Sequence, residues 1–314
     1  MKKEDKMLYK RVLITGANGL LGQELVRVFS RHPDYDILAT GRDINARFSA
    51  GSCGYVPLDL TDHEDVKQIF LDFTPDVIIN GAALTNVDQC ESERQACWDV
   101  NCEAVEHLIR CCKQHGTKLV QVSTDFVFDG AHGPYKEEDR PNPLNFYGRS
   151  KLAAENAIRK AGLRNWAIAR TVLVYGTGEQ LSRSNIVLWA INQLSAGNTI
   201  RIVDDQWRTP TYAPDLAEGL QRLVRFDKQG VYHISGREFL SIYDFVQKIA
   251  SVFDLDTSLI ERADSSTFSQ TAARPPTTGF IILKAETELG YRPKSTEKAL
   301  AHLGARLGLP VSTS

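Results

Sequence analysis

Residues 11–22, Arg11-Val12-Leu13-Ile14-Thr15-Gly16-Ala17-Asn18-Gly19-Leu20-Leu21-Gly22, decide the fold of this chain. Five strand-forming residues run into a glycine-rich turn, and Glu24-Leu25-Val26-Arg27-Val28-Phe29 continues as a helix. Glycines at 16, 19 and 22 let the backbone turn tightly and approach a pyrophosphate closely. The helix behind them offers free N-terminal amides to that negative charge. Strand, turn and helix together predict the phosphate-binding corner of a dinucleotide site.

Outward from that corner, apolar strand-like runs alternate with helical patterns. Strands are expected at 36–40, 76–80, 118–123 and 166–170, with one more just before Asp59. Helices are expected at 64–73, 94–115 and 148–161. Continuous apolar strands separated by helices imply a parallel sheet covered on both faces. The fold class is therefore α/β, a doubly wound parallel sheet of Rossmann type with a smaller mixed C-terminal substrate lobe. After Tyr175 the rhythm loosens. The expected division is a dinucleotide-binding domain over 1–175, which 212–236 rejoins, and a substrate lobe over 176–211 and 237–314. A helix over 241–253 has Ser241 as its expected N-cap.

Ligands of such sheets bind beyond the carboxyl ends of the strands, so the residues there carry the chemistry. After the second strand the chain reads Thr40-Gly41-Arg42-Asp43. An acidic residue here grips the adenine ribose diol, whereas an arginine pairs with a 2′-phosphate. Arg42 comes first, so NADPH is the expected cofactor, with NADH the alternative. Asp59 and Leu60 follow the third strand, next to the adenine side of the groove, and Thr61 or Asp62 is placed to cap the next helix. Asn80-Gly81-Ala82-Ala83 ends the fourth strand with small residues that give a cofactor close access.

Ser123-Thr124-Asp125 ends the fifth strand on the same rim. A Thr124 hydroxyl there can hold a substrate carbonyl oxygen as charge develops on it. Downstream stands Tyr147-Gly148-Arg149-Ser150-Lys151, in which a helix would put Tyr147 and Lys151 on one face. A free phenol titrates near pH ~10, and a cation beneath it is expected to pull that value toward neutrality, making Tyr147 a proton donor.

Composition narrows the function further. A hydrophobic content of 42%, a charged content of 24% and a net charge of −2 fit an ordinary globular protein and give no reason to expect nucleic acid as a partner. No apolar run approaches the ~18 residues of a membrane span. The charged start, residues 1–6, lacks the apolar core of a signal peptide and reads as a short extension. The six cysteines show no zinc spacing and are read as reduced thiols of a cytoplasmic protein. No metal is expected.

Taken together, Thr-Gly-x-x-Gly-x-x-Gly, Ser-Thr-Asp, Asn101 and Tyr-x-x-x-Lys resemble the extended short-chain dehydrogenase/reductase family. Stretches 119–130 (LVQVSTDFVFDG), 135–139 (YKEED), 143–151 (PLNFYGRSK) and 87–93 (VDQCESE) are similar to its dTDP-4-dehydrorhamnose reductase branch. The resemblance runs from about residue 10 to 295. It implies hydride transfer from NADPH or NADH to C4 of a nucleotide-linked 4-keto-6-deoxy sugar. Tyr147 would be the proton donor, Lys151 would bind the nicotinamide ribose and tune the phenol, and Thr124 would orient the keto oxygen. Gly16, Asn18, Gly19, Leu20, Leu21, Gly22, Arg42, Asp59, Leu60, Ala82, Ala83 and Asn101 would line the cofactor groove. Thr85, Thr124, Asp125, Phe126, Asn185, Trp207, Arg208 and Arg274 would face the substrate, and a homodimer is a further expectation. Glu24 matches a position used for a metal at a dimer contact in some relatives, and by itself reads as a first-turn helix glutamate.

Four departures bear on which sugar is bound. Leu173 stands where the branch has a sugar-stacking tryptophan, Phe126 where it has tyrosine, Leu84 where it has histidine, and Arg208 where it has glycine. Trp207 is expected to restore an aromatic wall, and Arg208 or Arg274 to pair with a diphosphate, the other reading of Arg208 being a surface charge. Two alternatives share the resemblance. One is a sugar-nucleotide epimerase or dehydratase. The other is a non-catalytic regulatory subunit like the β subunit of methionine adenosyltransferase, which also lacks that tryptophan.

Overall fold

The computed structural model describes residues 9–49, 51 and 53–312, and the charged segment 1–6 lies outside them. Six strands come first: β1 (Lys10–Thr15), β2 (Tyr35–Gly41), β3 (Gly54–Pro57), β4 (Val77–Asn80), β5 (Lys118–Thr124) and β6 (Trp166–Thr171). The short β7 (Val174–Tyr175), β8 (Ile200–Val203), β9 (Trp207–Arg208) and β10 (Thr211–Tyr212) lead to β11 (Gly230–His233), and β12 (Leu240–Ser241) and β13 (Ile260–Ala263) close the series. The main sheet has the order β11-β6-β5-β4-β1-β2-β3, and every pair in it is parallel. The order reverses between β1 and β4, which opens a crevice beyond their carboxyl ends. Three two-stranded pairs, β7 with β10, β9 with β12 and β8 with β13, lie outside this sheet.

Helices α1 (Leu20–Phe29), α2 (His63–Phe73), α3 (Val87–Ser92), α4 (Arg94–Trp98), α5 (Ala104–His115) and α6 (Phe146–Lys160) belong to the first half. The second half holds α7 (Ile186–Ser195), α8 (Ala213–Arg225), α9 (Ile242–Val252), α10 (Leu283–Leu289) and α11 (Thr296–Leu307). Alternation along β1 sends Val12 and Ile14 to one face, where Leu25, Phe29, Leu216 and Leu220 of α1 and α8 cover them. Leu13 goes to the other face with Ile78, Leu119 and Ile168, under Phe70, Val105, Leu108 and Ile158 of α2, α5 and α6. Both faces are covered, which is why these strands read as continuous apolar runs. A separate core joins Val187, Leu194, Phe245, Ile249, Leu300 and Leu303 of α7, α9 and α11.

Several expectations need adjustment. The helix expected over 94–115 is α4, a π-helical turn at Asp99–Glu103, and then α5. The wider turn carries Asn101 inward, a use of π-turns that periodicity does not reveal. Asp62, not Thr61, caps α2, accepting from the amides of Glu64 and Asp65. Ser241 caps α9 as expected. Glu24 is the fifth residue of α1, past its first turn. Phe280, Ile282, Ala285, Leu289 and Tyr291 pack into the sheet's core beside α8. We therefore propose that, among the described residues, the sheet unit comprises those up to 175, 212–236 and also 280–291, with the smaller lobe made of the rest. Among the described residues no helix is long and apolar enough to cross a membrane.

Candidate active site

The glycine turn sits at the reversal point of the sheet. Gly16, at φ 69°, faces the Gly81–Ala82 backbone so closely that a Cβ would clash with it. At Gly22 a Cβ would run into the Gly16 carbonyl and the Ala17 backbone, so only glycine lets α1 begin where it does. Gly19 is the N-cap residue of α1, and no side chain caps that end. Its amides remain available to a pyrophosphate, so the corner fits a dinucleotide. Asn80 ties the two strand ends: it accepts from Thr15 Oγ1 at 2.6 Å and donates to Gln121 Oε1 at 2.8 Å.

Asn18 does not point into this corner. Its amide donates to Asp43 Oδ2 at 2.7 Å and to Tyr55 Oη at 3.1 Å, and its oxygen accepts from the Arg47 amide at 2.9 Å. Asp43 also pairs with Arg47 at 2.9 Å, and hydrogen bonds from Asn18 and then Arg47 hold its carboxyl below the usual range. With the acidic residue occupied, Arg42 is left exposed at the end of β2. Asp59 is turned on its own loop, accepting from the Thr61 amide and hydroxyl at 2.9 and 2.8 Å, while Leu60 is buried. Asn101 is buried. Its amide group clamps the Leu84 N–H and C=O at 2.8 and 3.0 Å and donates to Ser150 Oγ at 3.1 Å, so it braces the loop carrying Ala82 and Ala83 from behind.

Thr124, Tyr147 and Lys151 come together beyond β5. The Asn145 side chain caps α6 at the Gly148 amide, 2.8 Å away. Gly148 packs so tightly on the Phe126 carbonyl that any Cβ would clash, and this contact seats α6 directly on the end of β5. Tyr147 then lies near the Thr124 hydroxyl, edge-on to Phe126 with ring centroids 6.0 Å apart. Lys151, one turn on, is 2% exposed. Among the described residues no group accepts a hydrogen bond from its ammonium.

Burial, not a neighbouring cation, dominates the electrostatics. It raises the Tyr147 phenol well above its ordinary value, opposed by the Thr124 hydroxyl and reinforced by the Asp125 charge. The expected downward pull from Lys151 is not found, because the lysine is itself desolvated. Burial pushes Lys151 down to about 8, partly offset by Glu155. Glu155, the next residue along the same face of α6, is fully buried. It takes a bidentate pair from Arg170 at 2.9 and 2.7 Å and a hydrogen bond from Ser123 Oγ at 2.7 Å. Cys90 and Cys97 pack against Tyr147, and all six cysteines are free thiols.

The substrate side differs most from expectation. Arg208 is neither a surface charge nor free for a diphosphate, being 4% exposed. Its Nη1 donates to the Trp207 and Pro276 carbonyls at 2.8 and 2.9 Å, and its Nη2 to Gln206 Oε1 and the Pro275 carbonyl at 3.3 and 2.8 Å. Nε faces Asp125 Oδ2 at the ion-pair distance of 3.7 Å, and the four Nη hydrogens are all committed. Asp125 is likewise enclosed by Arg208, Thr278 and Thr124, whose groups surround its carboxylate. Asn185 is the N-cap of α7, and its amide donates to the Gly176 carbonyl at 2.8 Å, so it too is structural.

Trp207 is 37% exposed and rests on Phe239, centroids 5.5 Å apart. Strand alternation sends it to the face opposite Arg208. Arg274 pairs with Asp88 at 2.5 Å. Leu173 occupies the left-handed region at φ 39°. Thr85 accepts from Arg183 at 3.2 Å, a contact across the mouth that the sequence did not signal. Gln23, equally unforeseen, fastens both backbone groups of Glu179 at 2.8 Å, which holds this loop over the start of α1. Among the described residues no cluster of three or more His, Cys, Asp or Glu could hold a metal ion.

Known proteins are similar to this chain in sequence and fold. The family model described as RmlD substrate binding domain matches residues 10–308. The probable low-salt glycan biosynthesis reductase Agl14 of Haloferax volcanii is 33% identical over 294 residues, covering 93% of this chain and 96% of that one. Methionine adenosyltransferase 2 subunit beta of Danio rerio is 32% identical over 255 residues, covering 80% and 76%. The crystal structure of dTDP-4-dehydrorhamnose reductase from Bacillus anthracis in complex with NADP superposes with a TM-score of 0.83 at 31% identity, covering 95% of this chain and all of the other.

Proposed function

The chain belongs to the RmlD substrate-binding-domain family, and from that premise we propose that it reduces the 4-keto group of a nucleotide-activated deoxysugar. It is an NAD(P)-dependent oxidoreductase of the dTDP-4-dehydrorhamnose reductase branch. The leading substrate candidate is dTDP-4-dehydrorhamnose itself. One observation carries the reading: a Thr124 hydroxyl, a Tyr147 phenol and a Lys151 ammonium meet on the rim where the glycine turn opens.

When bound, the cofactor supplies the hydride. The chain's own residues do the rest. Gly16, Gly19, Leu20, Leu21 and Gly22 hold the pyrophosphate, and Arg42 faces the 2′-phosphate, which favours NADPH over NADH. Asp59, Leu60, Ala82 and Ala83 border the same groove. Lys151 holds the nicotinamide ribose and gains there the partners it otherwise lacks. Thr124 positions the keto oxygen beside Tyr147 Oη. Tyr147, a phenol and therefore protonated at neutral pH, gives its proton to the oxygen as the C4 alkoxide forms. Thr85, Phe126, Trp207 and Arg274 border the sugar-nucleotide end.

A second reading, a cofactor-binding regulatory subunit, is favoured by Leu173 in place of the stacking tryptophan and by the similarity to methionine adenosyltransferase 2 subunit beta. Loss of NADPH absorbance with dTDP-4-dehydrorhamnose, and with other nucleotide-linked 4-keto sugars, separates the two. Turnover of any of them establishes the reductase. Tight NADPH binding with no turnover across the series leaves the regulatory reading.

A further inference from the structure

The two arginines expected at a diphosphate are held elsewhere, Arg208 by Gln206 and three carbonyls and Arg274 by both oxygens of Asp88. The phosphates of a nucleotide sugar need another cation. We propose that Arg183 is a diphosphate ligand, carried across the cofactor crevice on a strap formed by residues 176–185, and that the diphosphate it takes is the substrate's. This inference rests on the reductase reading above.

The strap is fastened on both banks of the crevice. Asn185 donates to the Gly176 carbonyl at 2.8 Å and closes its base. Gly176 lies against Leu20, the first residue of α1, where an added Cβ would sit 3.3 Å from the Leu20 side chain. Gln23 accepts from the Glu179 amide and donates to the Glu179 carbonyl, both at 2.8 Å, and a Cβ at Gly178 would run into Gln23 Oε1. This end is thus fixed to the first turns of α1. Gln180, at φ 46°, turns the chain through the left-handed region. At the far end Arg183 Nη1 donates to Thr85 Oγ1 at 3.2 Å, on the loop that follows β4. Helix α1 follows β1 and Thr85 follows β4, the strands between which the sheet order reverses, so the strap spans the crevice. Arg183 itself is exposed. Among the described residues its bond to Thr85 is its only hydrogen bond, and no carboxylate pairs with it. The rest of its N–H groups are open for a bidentate grip on phosphate oxygens. Glu179, the acidic residue of the strap, is fixed at the α1 end, beside the corner for the cofactor's pyrophosphate. The arginine stands at the Thr85 end, on the sugar-nucleotide side. That placement of charge favours the substrate's diphosphate over the cofactor's.

The test is calorimetric binding of dTDP, UDP and GDP with NADP⁺ saturating, and of NADPH alone. It compares the wild type with Arg183→Gln, Arg183→Lys, Gln23→Ala and the Gln23→Ala/Arg183→Gln double variant, each first checked for a cooperative melt. Arg183→Gln should weaken the tightest nucleoside diphosphate about tenfold, the scale of one charge-assisted hydrogen bond, and leave NADPH affinity unchanged. Arg183→Lys keeps the charge without the planar fork and should fall between the two. Added salt should weaken nucleoside diphosphate binding more steeply in the wild type than in Arg183→Gln. Gln23→Ala releases the α1 end of the strap and should weaken the same ligand, while adding it to Arg183→Gln should cost nothing more. Unchanged affinity in Arg183→Gln, or a wild type that binds none of the three nucleotides, overturns the proposal. Additive losses in the double variant overturn the strap as the arginine's carrier. A loss for NADPH alone makes the cofactor's pyrophosphate the ligand and overturns the assignment to the substrate. If nucleoside diphosphate binding depends on Arg183 and no keto sugar is reduced, the reductase reading fails on its own. If Arg183→Gln reduces a keto sugar with the wild-type KM, this inference fails and the reductase reading stands.

Discussion

At the residue scale, what sequence makes legible is chemical type and spacing. Gly16, Thr124, Tyr147 and Lys151 could be picked out because their chemistry depends on neighbours in a short motif. Sequence misled wherever the deciding partner is remote: Arg208 is committed to Asp125 and Pro275, and Asn101 to Leu84 and Ser150. The same gap explains the inverted electrostatics of the Tyr–Lys pair, since spacing shows that two groups are close but not that both are desolvated. Lys151 carries a prediction of its own. A lysine whose value is lowered keeps its charge below that value and loses it above, so the ammonium that holds the ribose disappears as pH rises through about 8. We expect kcat/KM of the wild type to decline above that pH. Lys151→Arg, charged throughout, should lose activity overall yet show no alkaline limb there. A limb unchanged in Lys151→Arg would assign the titration to another group.

At the element scale, the long apolar strands and the helices between them could be read because burial on two faces leaves an unbroken pattern. Boundaries at the site could not. The π-turn of Asp99–Glu103 exists to aim Asn101 and leaves no periodic trace, and strands of two residues such as β7 and β9 carry too little pattern to detect. The start of α6 is the element on which the geometry depends. Gly148 lets that helix rest on the Phe126 carbonyl, and Gly148→Ala must lift the first turn off the end of β5. Moving Tyr147 by even ~1 Å relative to Thr124 should cost about a hundredfold in kcat. NADPH affinity, set mainly at α1, should change little. A Gly148→Ala enzyme with full kcat would show that the close approach of α6 is not what aligns the phenol.

At the scale of the whole molecule, alternation predicted the parallel sheet, and β11 lies beside β6 at its edge. How the second core is fastened could not be foreseen. Leu173 packs against both cores, and polar ties join it. Glu24 of α1, 2% exposed, pairs with Arg306 of α11 at 2.8 Å and with Arg27 at 2.6 Å, and Lys294 reaches Asp215 of α8 at 2.5 Å. A first-helix glutamate is thus a tie between the two cores. Arg306→Ala removes one of its two partners and should cost about 1.5–3 kcal/mol of stability, the range for a hydrogen bond to a charged group. A urea midpoint lowered at constant slope is the expected result, and an unchanged midpoint would show that Arg27 alone suffices.

The central claim is that Tyr147 delivers a proton to a sugar-nucleotide ketone while the glycine corner holds NADPH. Its most direct test is NADPH oxidation by dTDP-4-dehydrorhamnose in wild type and Tyr147→Phe, with NADPH binding measured on both. The account predicts turnover in the wild type, and a loss of at least about a hundredfold in the variant with binding retained. Equal turnover in Tyr147→Phe would contradict it.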